Sequence, residues 1–514
     1  MKKNSISTAV LASLAGIAGI ANISSAVNIN PDGTGQVLIY PYYTANAGNQ
    51  TLLSVVNTTN TGKAVKVRVL EGRNSREVLD FNLFLSREDV WTAAIVNLGD
   101  ATSPASILTL DTSCTSPNFA TSRDGTTTTG IPFVNFRNTL YTQDVDGGTG
   151  LNRTREGHVE MIEMASLAST LNTSITHVRG TDIPFKCSDA LGRSSTNPNL
   201  VGANVTAPTG GLFGGAAVIN IANGTYTNYN ASALDAFWDA NSVTTITDPD
   251  SLFPSLSSAA PRSLVFNRGR IISSTWGNQP VGEPGDPGQR IDAVSAIFMA
   301  DSFFNEYSTI ASNAEASEWV ITFPTKRFYV DRDPVTAGGG PGQGVIAPFT
   351  SLYNGQACET IAISAWNREE FSGGTPTIGF SPPAPGSASP RLCFETNVLT
   401  FNQTITNDPS FSTSSPSKIF GSIHARNIIT PRIDGVAGNN TQAGWARISF
   451  PNRLMRPSVE THRFVGLPVA GFWAISIENN NATPGVKGFY GGAYNHRNSR
   501  DCQSGGVVNN CTTP

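Results

Sequence analysis

Charged residues and long apolar runs are both scarce in this chain. Asp, Glu, Lys and Arg make up 14% of its 514 residues, whereas soluble proteins usually contain about 25%. The formal net charge is −4, so the chain as a whole carries no basic field that would attract nucleic acid or anionic lipid. Beyond residue 23, no segment approaches the roughly 20 consecutive apolar residues that a membrane-spanning helix needs. We therefore expect a mature protein that neither binds nucleic acid nor spans a membrane.

Short motifs of common catalytic centres are also missing. The sequence contains no GxSxG elbow for a serine nucleophile, no HExxH zinc motif and no phosphate-binding glycine loop followed by lysine. Two carboxylate pairs, Glu160 with Glu163 and Asp331 with Asp333, have the residue types of a glycosidase. Such pairs also form ordinary ion pairs. We expect a protein without catalytic activity, and a glycan-active hydrolase is the alternative.

Residues 1–26 have the features of a secretory signal peptide. Lys2 and Lys3 precede an Ala-, Gly- and Leu-rich apolar stretch at 6–23, and Ser24-Ser25-Ala26 provides the small residues of a cleavage site. No cysteine follows the apolar stretch directly, so we expect no lipid anchor. The predicted location is the cell surface or the extracellular medium, with the periplasm as the alternative.

The cysteines fit the same compartment. The chain has six of them: Cys114, Cys187, Cys358, Cys393, Cys502 and Cys511. An even number in an exported chain predicts three disulfides, for which 15 pairings are possible. We favour sequential pairing, because Cys358 with Cys393 and Cys502 with Cys511 each enclose a Gly-rich loop. A metal site fits less well because no pair has CxxC spacing.

The strongest strand pattern lies at 51–95. The VKVRV segment at 65–69 places three valines on one face and Lys66 and Arg68 on the other, which predicts a strand with one buried and one wet face. An apolar run at 52–56 precedes it, and the NTTNTG segment between them predicts a tight turn and a hairpin. Four short strands at this spacing are typical of half of an immunoglobulin-like sandwich.

Helix signals are weak elsewhere in the chain. The GHVEMIEM segment at 157–164 suits either a helix or a strand, and we favour a strand because no helix signal surrounds it. The SALDAFWDAN segment at 232–241 is the best helix candidate. Further strand signals occur at 293–299, 318–331, 361–366, 392–401, 444–450 and 467–477.

These patterns predict a mainly β fold with little helix. We expect multiple β-sandwich units of the immunoglobulin-like type, joined by long loops rich in Gly, Pro, Ser and Thr. After the signal peptide at 1–26, the predicted division is an N-terminal immunoglobulin-like region at 27–205, a middle β-rich region at 206–335 and a C-terminal β-rich region at 345–514.

Two loops contain candidate ligand-binding residues. Asp144 and Asp146, followed by Gly147, resemble the start of a calcium loop, although position twelve holds Arg155 instead of glutamate. A plain Asp-Gly turn is the alternative, and no other cofactor is expected. Trp276 lies in a Gly/Pro loop, whereas most other tryptophans lie in apolar runs. It is therefore the candidate platform for a sugar ligand.

Four segments carry a resemblance to known proteins. They are LLSVVNTTNTGKAVKVRVLEGRNSREVLDFNLFLSREDVWTAAI, GHVEMIEM, EWVITFPTKRFYV and LPVAGFWAISI. They resemble segments of a group of exported proteobacterial proteins that are mostly labelled hypothetical or cell-surface proteins. The resemblance implies an exported, β-rich and surface-associated protein, and it brings no catalytic residue or substrate. We expect a structural or adhesive protein that associates with itself or with other envelope components, and a secreted glycan-binding protein is the alternative.

Overall fold

Antiparallel strands make up most of the fold, which a computed structural model defines. The described residues are 26–141, 148–191, 200, 204–239, 246–277, 290–310, 314–331, 347–370, 390–402, 417–429, 442–483, 486–504 and 507–508. Their secondary structure confirms the prediction of a mainly β protein with little helix.

The strands up to residue 235 and the first helix have the following bounds: β1 (Asn28–Ile29), β2 (Val37–Thr44), β3 (Gln50–Asn57), β4 (Gly62–Glu71), β5 (Glu77–Leu85), β6 (Val90–Val96), β7 (Ser106–Leu108), β8 (Cys114–Ser116), β9 (Gly125–Thr126), β10 (Pro132–Asn135), β11 (Glu156–Leu167), α1 (Ser169–Ile175), β12 (His177–Val178), β13 (Ile183–Pro184), β14 (Val205–Thr206), β15 (Leu212–Asn220), β16 (Thr225–Asn230) and β17 (Ser232–Asp235). Short 3-10 turns lie at Leu151–Arg155 and Cys187–Asp189.

The remaining elements are β18 (Arg262–Asn267), β19 (Arg270–Thr275), α2 (Arg290–Phe298), β20 (Met299–Ala300), β21 (Ser302–Ser308), β22 (Ala316–Thr322), α3 (Arg327–Val330), β23 (Glu359–Thr360), β24 (Ala362–Asn367), β25 (Arg391–Leu392), β26 (Thr396–Asn402), β27 (Arg426–Ile429), β28 (Ala443–Ser449), β29 (Leu454–Met455), β30 (Arg463–Val465), β31 (Leu467–Pro468), β32 (Ala470–Thr483), β33 (Val486–Asn495), β34 (Arg497–Ser499), β35 (Asp501–Ser504) and β36 (Val507–Val508). A further 3-10 turn lies at Leu256–Ser258. Within the described residues, no helix is both long enough and apolar enough to cross a membrane.

Two large antiparallel sheets form in the first part of the chain. The eight-stranded sheet has the order β1-β17-β2-β11-β4-β5-β8, with β14 paired to β11, and the seven-stranded sheet has the order β16-β15-β3-β6-β7-β10-β9. Both sheets contribute to one apolar cluster, which includes Val67 from β4 and Trp91 from β6. The predicted boundary after residue 205 falls inside these sheets, because β15 to β17 complete them.

The predicted hairpin between β3 and β4 does not form. β3 pairs with β6 and β15, whereas β4 pairs with β5 and β11 in the other sheet. The NTTNTG segment therefore carries the chain from one sheet to the other. Because each strand has one apolar face directed at the shared cluster, crossing between the sheets lets both strands bury that face.

The polar face of β4 is buried, and the prediction of a wet face is wrong. Lys66 is 0% exposed and forms an ion pair with Asp80, and Arg68 is 1% exposed. Part of the cover comes from α3, where Arg327 Nη2 lies 3.3 Å from Glu160 Oε2 on the neighbouring strand β11. Buried charges need such partners, because leaving an ion unpaired inside a protein costs several kcal/mol.

Two of the sheets in the second half of the chain pack around a second apolar cluster. The five-stranded sheet has the order β27-β26-β22-β32-β33 and the four-stranded sheet has the order β24-β28-β21-β34. Trp319 of the first sheet and Ile448 of the second both belong to this cluster. Val320 and Phe472, on the other face of the five-stranded sheet, belong to the first cluster. The early and late sheets are therefore joined through shared packing, and the division into three regions stays a prediction.

Three local predictions have clear outcomes. Residues 157–164 lie in β11, as predicted. The predicted helix at 232–241 is wrong, because Ser232–Asp235 forms β17 between β1 and β2, where the sheet satisfies its backbone groups. The strand signal at 293–299 is wrong as well over residues 293–298, because α2 occupies them, whereas Met299 begins β20. Eight of its nine residues are buried, so no amphipathic period marked it as a helix.

Two of the three predicted disulfides are present in the structure. Cys114 is bonded to Cys187, and Cys358 is bonded to Cys393. The first bond lies at a small apolar cluster that α1 contributes to. Cys511 lies outside the described residues, so its bond to Cys502 stays a prediction.

Removal of the Cys114–Cys187 bond by a double serine substitution should lower the free energy of unfolding by about 2–5 kcal/mol. The bond joins residues 73 positions apart, against 35 for Cys358–Cys393. Because closing a longer loop removes more entropy from the unfolded chain, the matched Cys358→Ser/Cys393→Ser variant should lose less stability. Urea unfolding of both variants measures this difference, and the reverse order would contradict the expectation.

Candidate ligand-binding groove

The outward face of the seven-stranded sheet is open over several strands. Along β3, Leu53 and Val55 point into the apolar cluster, so Leu52 and Ser54 point outward. Leu52 is 39% exposed. β6 follows the same alternation, which directs Ala94 to the outer face.

A groove of about 570 Å³ lies on this face. Strand register places four of its residues side by side across β15, β3, β6 and β7: Ala217, Leu52, Ala94 and Leu108. The small side chain of Ala94 leaves a depression between the two leucines, and Ala217 leaves another on the far side of Leu52. Leu110, which is 74% exposed, extends the apolar wall beyond β7. The groove is therefore a consequence of small residues in neighbouring strands.

Two adjacent glycines in β15 face opposite sides of the sheet, Gly214 towards the interior and Gly215 towards the groove. A Cβ at Gly214 would overlap the hydroxyl of Tyr40, which donates a 2.7 Å hydrogen bond to the carbonyl oxygen of Ser54. Gly215 lies opposite Ser54 on β3 and opposite Asn230 on β16, and it lines the groove without a side chain. A larger residue at either position would disturb the sheet or fill the groove.

Strand β16 supplies the polar border of the groove. Its outward side chains are Tyr226, Asn228 and Asn230, and all three are exposed. None of them forms a side-chain hydrogen bond within the described part of the chain. Each asparagine amide can both donate and accept, and the tyrosine ring offers an apolar face with a hydroxyl at its end.

The electrostatic character of the groove is neutral. Its described lining residues are apolar or uncharged polar, and none carries a carboxyl, imidazole, ammonium or guanidinium group. Such a surface suits an uncharged ligand that presents hydroxyl groups on one side and an apolar face on the other.

Two more exposed tyrosines lie on β33, the strand next to β16. The two strands are so close that a Cβ added at Gly491 would lie 2.7 Å from the carbonyl oxygen of Tyr226. Tyr490 and Tyr494 on β33 are 60% and 58% exposed. Tyr494 is held by stacking on Trp473, with 5.3 Å between the ring centroids. Exposed tyrosines thus lie along two adjacent strands.

Trp276 is not an exposed platform, and that prediction is corrected. Its side chain is 2% exposed and belongs to the second apolar cluster. The indole Nε1 donates a 2.8 Å hydrogen bond to Ser263 Oγ, and the ring stacks on Phe464. Although Gly and Pro follow it in the sequence, Trp276 itself comes directly after β19 and packs inward from that strand.

The first predicted carboxylate pair lies in the interior, where each glutamate faces a cation. Glu160 and Glu163 are each 0% exposed. Glu160 faces Arg327, and Glu163 Oε1 lies 2.8 Å from Lys63 Nζ. Asp333 lies outside the described residues.

The predicted calcium loop has no structural test. Asp144 and Asp146 both lie outside the described residues. Across the described ranges, no group of three or more His, Cys, Asp or Glu residues could hold a metal ion. The calcium loop therefore stays a prediction.

Several interior carboxyl groups have displaced pKa values. Burial raises the pKa of Glu156 to about 7 and that of Glu395 to about 8. Burial would also raise the pKa of Glu71, but the charge and hydrogen bonds of Arg153 lower it to about 2. Displaced values occur at functional sites and in structural ion-pair networks alike. These three groups are at most 2% exposed, so they belong to the interior and not to a ligand site.

The groove has no motif that would reveal it in the sequence. The usable signal is the alternation in TYTNYN at 225–230, where Tyr226, Asn228 and Asn230 share one face and Thr227 and Tyr229 share the other. A strand with two amides and a tyrosine on its outer face is a polar, uncharged surface.

Comparisons of the chain with protein-family models, with curated proteins and with solved structures gave no match. The chemistry of the chain's own residues is therefore the basis for assigning a function.

Proposed function

We propose that the chain is an exported, non-catalytic cell-surface protein that binds neutral carbohydrate in the groove and has a structural or adhesive role. The observation that carries this proposal is the uncharged groove, with its alanine floor and the exposed Tyr226, Asn228 and Asn230 at its border. The signal features at 1–26 and the disulfides support export, because disulfides persist in oxidising compartments. The immunoglobulin-like character of the first two sheets is part of the same proposal.

Carbohydrate is the ligand class that best matches this surface. Sugar rings carry an apolar C–H face that packs on tyrosine rings, and their hydroxyls both donate and accept hydrogen bonds. Asn228 and Asn230 supply amides that can do the same. A volume of about 570 Å³ lies within the usual range of roughly 300–1,000 Å³ for small-molecule sites.

Binding is favoured over hydrolysis at this site. A glycosidase needs two carboxyl groups about 5–10 Å apart across its substrate cleft. None of the described residues that line the groove is Asp or Glu. A bound sugar would therefore be held without a general acid beside it.

Filling the floor of the groove should weaken carbohydrate binding. Leucine in place of Ala217 would project into the groove, and we expect neutral oligosaccharide affinity to fall at least about tenfold. Tyr226→Ala should also weaken binding, because it removes the aromatic face. Calorimetric titration with neutral oligosaccharides found on a glycan array measures both effects.

The matched control is Phe213→Ala. Phe213 is an exposed residue of β15, the strand that carries Ala217, and it lies outside the groove. It should bind as the wild type does. If no neutral glycan binds, or if all variants bind equally, the groove is not the site. Release of reducing ends from a bound oligosaccharide would instead support the hydrolase alternative.

Location provides an independent test of the proposed role. Protease treatment of intact cells should remove the protein, and it should be scarce in periplasm and culture supernatant. A sedimentation experiment on the purified protein then tests self-association, as expected for a structural surface component. Recovery only from the periplasm would contradict the surface role.

A further inference from the structure

A second exposed surface differs from the groove in its chemistry. On the outer face of the four-stranded sheet, Trp366 of β24 lies directly opposite Trp445 of β28. Their rings stack, with 4.1 Å between centroids and 13° between planes. Both side chains are half-buried, so the stack keeps an accessible side. We call this surface the tryptophan face.

The next cross-strand row brings arginines against aromatic rings. Arg447 lies between Ser364 and Phe304, and Arg497 of β34 lies on the other side of Phe304. The guanidinium carbon of Arg447 is 5.5 Å from the Trp445 ring centroid and 5.7 Å from that of Phe304. The tryptophan face thus consists of Trp366, Trp445, Phe304, Arg447 and Arg497.

The two arginines are exposed cations without acidic partners in the described part of the chain. Neither Arg447 nor Arg497 has a carboxylate within 4.0 Å among the described residues. Glu306, opposite Trp445, is the one acid in these two rows. In a chain whose formal charge is −4, this face has a local positive excess and is complementary to an anion.

We propose that the tryptophan face binds an acidic polysaccharide, with the pyranose ring against the indoles and the uronate carboxylate on the arginines. Indole faces are the strongest aromatic partners for the C–H face of a sugar, and guanidinium groups bind carboxylates in a planar, two-point geometry. Both elements lie within one cross-strand neighbourhood. The accessible side of the two half-buried indoles forms an apolar patch next to the arginines, which favours a binding role for it.

Single-stranded nucleic acid is a less suitable occupant. It requires a positive groove that follows several phosphates and separate aromatic rings on which successive bases stack. Trp366 and Trp445 are stacked on each other at 4.1 Å, so no base fits between them. Two arginines with Glu306 beside them do not form a continuous basic track.

The test uses the full mature chain and three polymers: polygalacturonate, neutral dextran and a single-stranded oligothymidylate. Polygalacturonate should bind the wild type, and its affinity should fall as salt is raised, because the arginine contacts are exposed. Arg447→Gln and Trp445→Ala should each weaken it at least about tenfold. Arg497→Gln should weaken it less, because this arginine touches the edge of the face.

Controls separate this site from the groove and from effects on folding. Ser364→Ala changes the same exposed row without removing a ring or a charge, and Ala217→Leu fills the groove; both should bind polygalacturonate normally. Arg447→Gln is exposed and should keep the wild-type urea midpoint even if Trp445→Ala does not. Failure of the wild type to bind polygalacturonate, equal binding by Arg447→Gln, or stronger binding of the oligothymidylate would each overturn the proposal.

Discussion

Replacing Glu71 by glutamine should lower the free energy of unfolding by about 3–5 kcal/mol, the usual cost of breaking a buried ion pair from one side. Glu71 Oε2 lies 2.7 Å from Arg153 Nε, and Glu71 Oε1 lies 2.8 Å from Arg153 Nη2. Glu71 is 0% exposed and Arg153 is 3% exposed. Glutamine would place an amide NH2 against donors and would remove the carboxylate that faces the buried guanidinium.

The same carboxylate also organises the turn between β4 and β5. It accepts backbone hydrogen bonds from Arg73 at 2.8 Å and from Asn74 and Arg76 at 3.1 Å each. These three N–H groups would otherwise need other partners inside the protein. Because they remain when the arginine is removed, Arg153→Met should cost less stability than Glu71→Gln.

Urea unfolding at neutral pH tests this order. Glu88→Gln, at an exposed acid in another turn, is the control and should change stability by less than about 0.5 kcal/mol. The pH dependence adds a second signature. Because the folded pKa of Glu71 is lowered from 4.5 to about 2, its contribution is present above pH 4.5 and is lost as pH falls toward 2. A Glu71→Gln variant that unfolds at the same urea concentration as the wild type would show that the Glu71 contacts in this turn do not stabilise the fold.

Local alternation predicted much of the first two sheets. The valines of β4 point into the apolar cluster, and β11 is a strand, because both segments carry a period of two or a β-branched bias that neighbouring strands reinforce. Alternation says which residues share a face, but it does not say what covers that face. For this reason alternation alone places Lys66 and Arg68 in water, whereas in the fold the carbonyl groups of Asp248 and Pro249 contact Lys66. Arg68 faces Glu160, which also faces Arg327 of α3.

The ligand surfaces show the same limit of sequence reasoning. Alternation in GWARISF puts Trp445 on the same face as Arg447 and opposite Ala446 and Ile448, so its outward direction can be predicted from the sequence. The Gly/Pro context of Trp276 says nothing about the direction of its side chain, which packs inward. The pairing of Trp445 with Trp366 could not be predicted, because these residues lie on strands far apart in the sequence.

Burial of the charged sheet face also explains why the early and late parts of the chain pack so closely. Arg76 from the β4–β5 turn pairs with Asp331 at 3.0 Å, just after α3. Glu318 accepts backbone hydrogen bonds from Ile419 at 3.1 Å and Phe420 at 3.2 Å. Such contacts require defined geometry, because a misplaced partner would leave a charge buried alone. They hold the sheets in one arrangement and so keep the groove and the tryptophan face on fixed supports.

The interior carboxyl of Glu395 should give the second large effect: Glu395→Gln is expected to stabilise the protein near pH 9 and to leave its stability almost unchanged near pH 4. Burial raises the pKa of Glu395 from 4.5 to about 8, and the charges of Lys326 and Arg327 oppose this rise only in part. The Ser75 hydroxyl donates to the carboxyl, and a glutamine carbonyl could accept the same hydrogen bond.

The sign follows from proton binding in the two states. Between pH 4.5 and about 8 the folded protein keeps the Glu395 proton, whereas the unfolded chain has lost it. Folding stability therefore falls as pH rises through this interval, and it levels off above it. Each pKa unit corresponds to about 1.4 kcal/mol, so removing the ionisable group should recover roughly 3–5 kcal/mol near pH 9.

Comparison of urea unfolding for wild type and Glu395→Gln from about pH 4 to about pH 9 measures this difference directly. Glu88→Gln again serves as the exposed control and should follow the wild-type profile. Lys326 does not reverse the expectation, because burial lowers its pKa to about 8, so near pH 9 most of its ammonium groups have lost their proton. A Glu395→Gln variant that is less stable than the wild type near pH 9 would mean that the ionised carboxylate is held by partners strong enough to outweigh its burial.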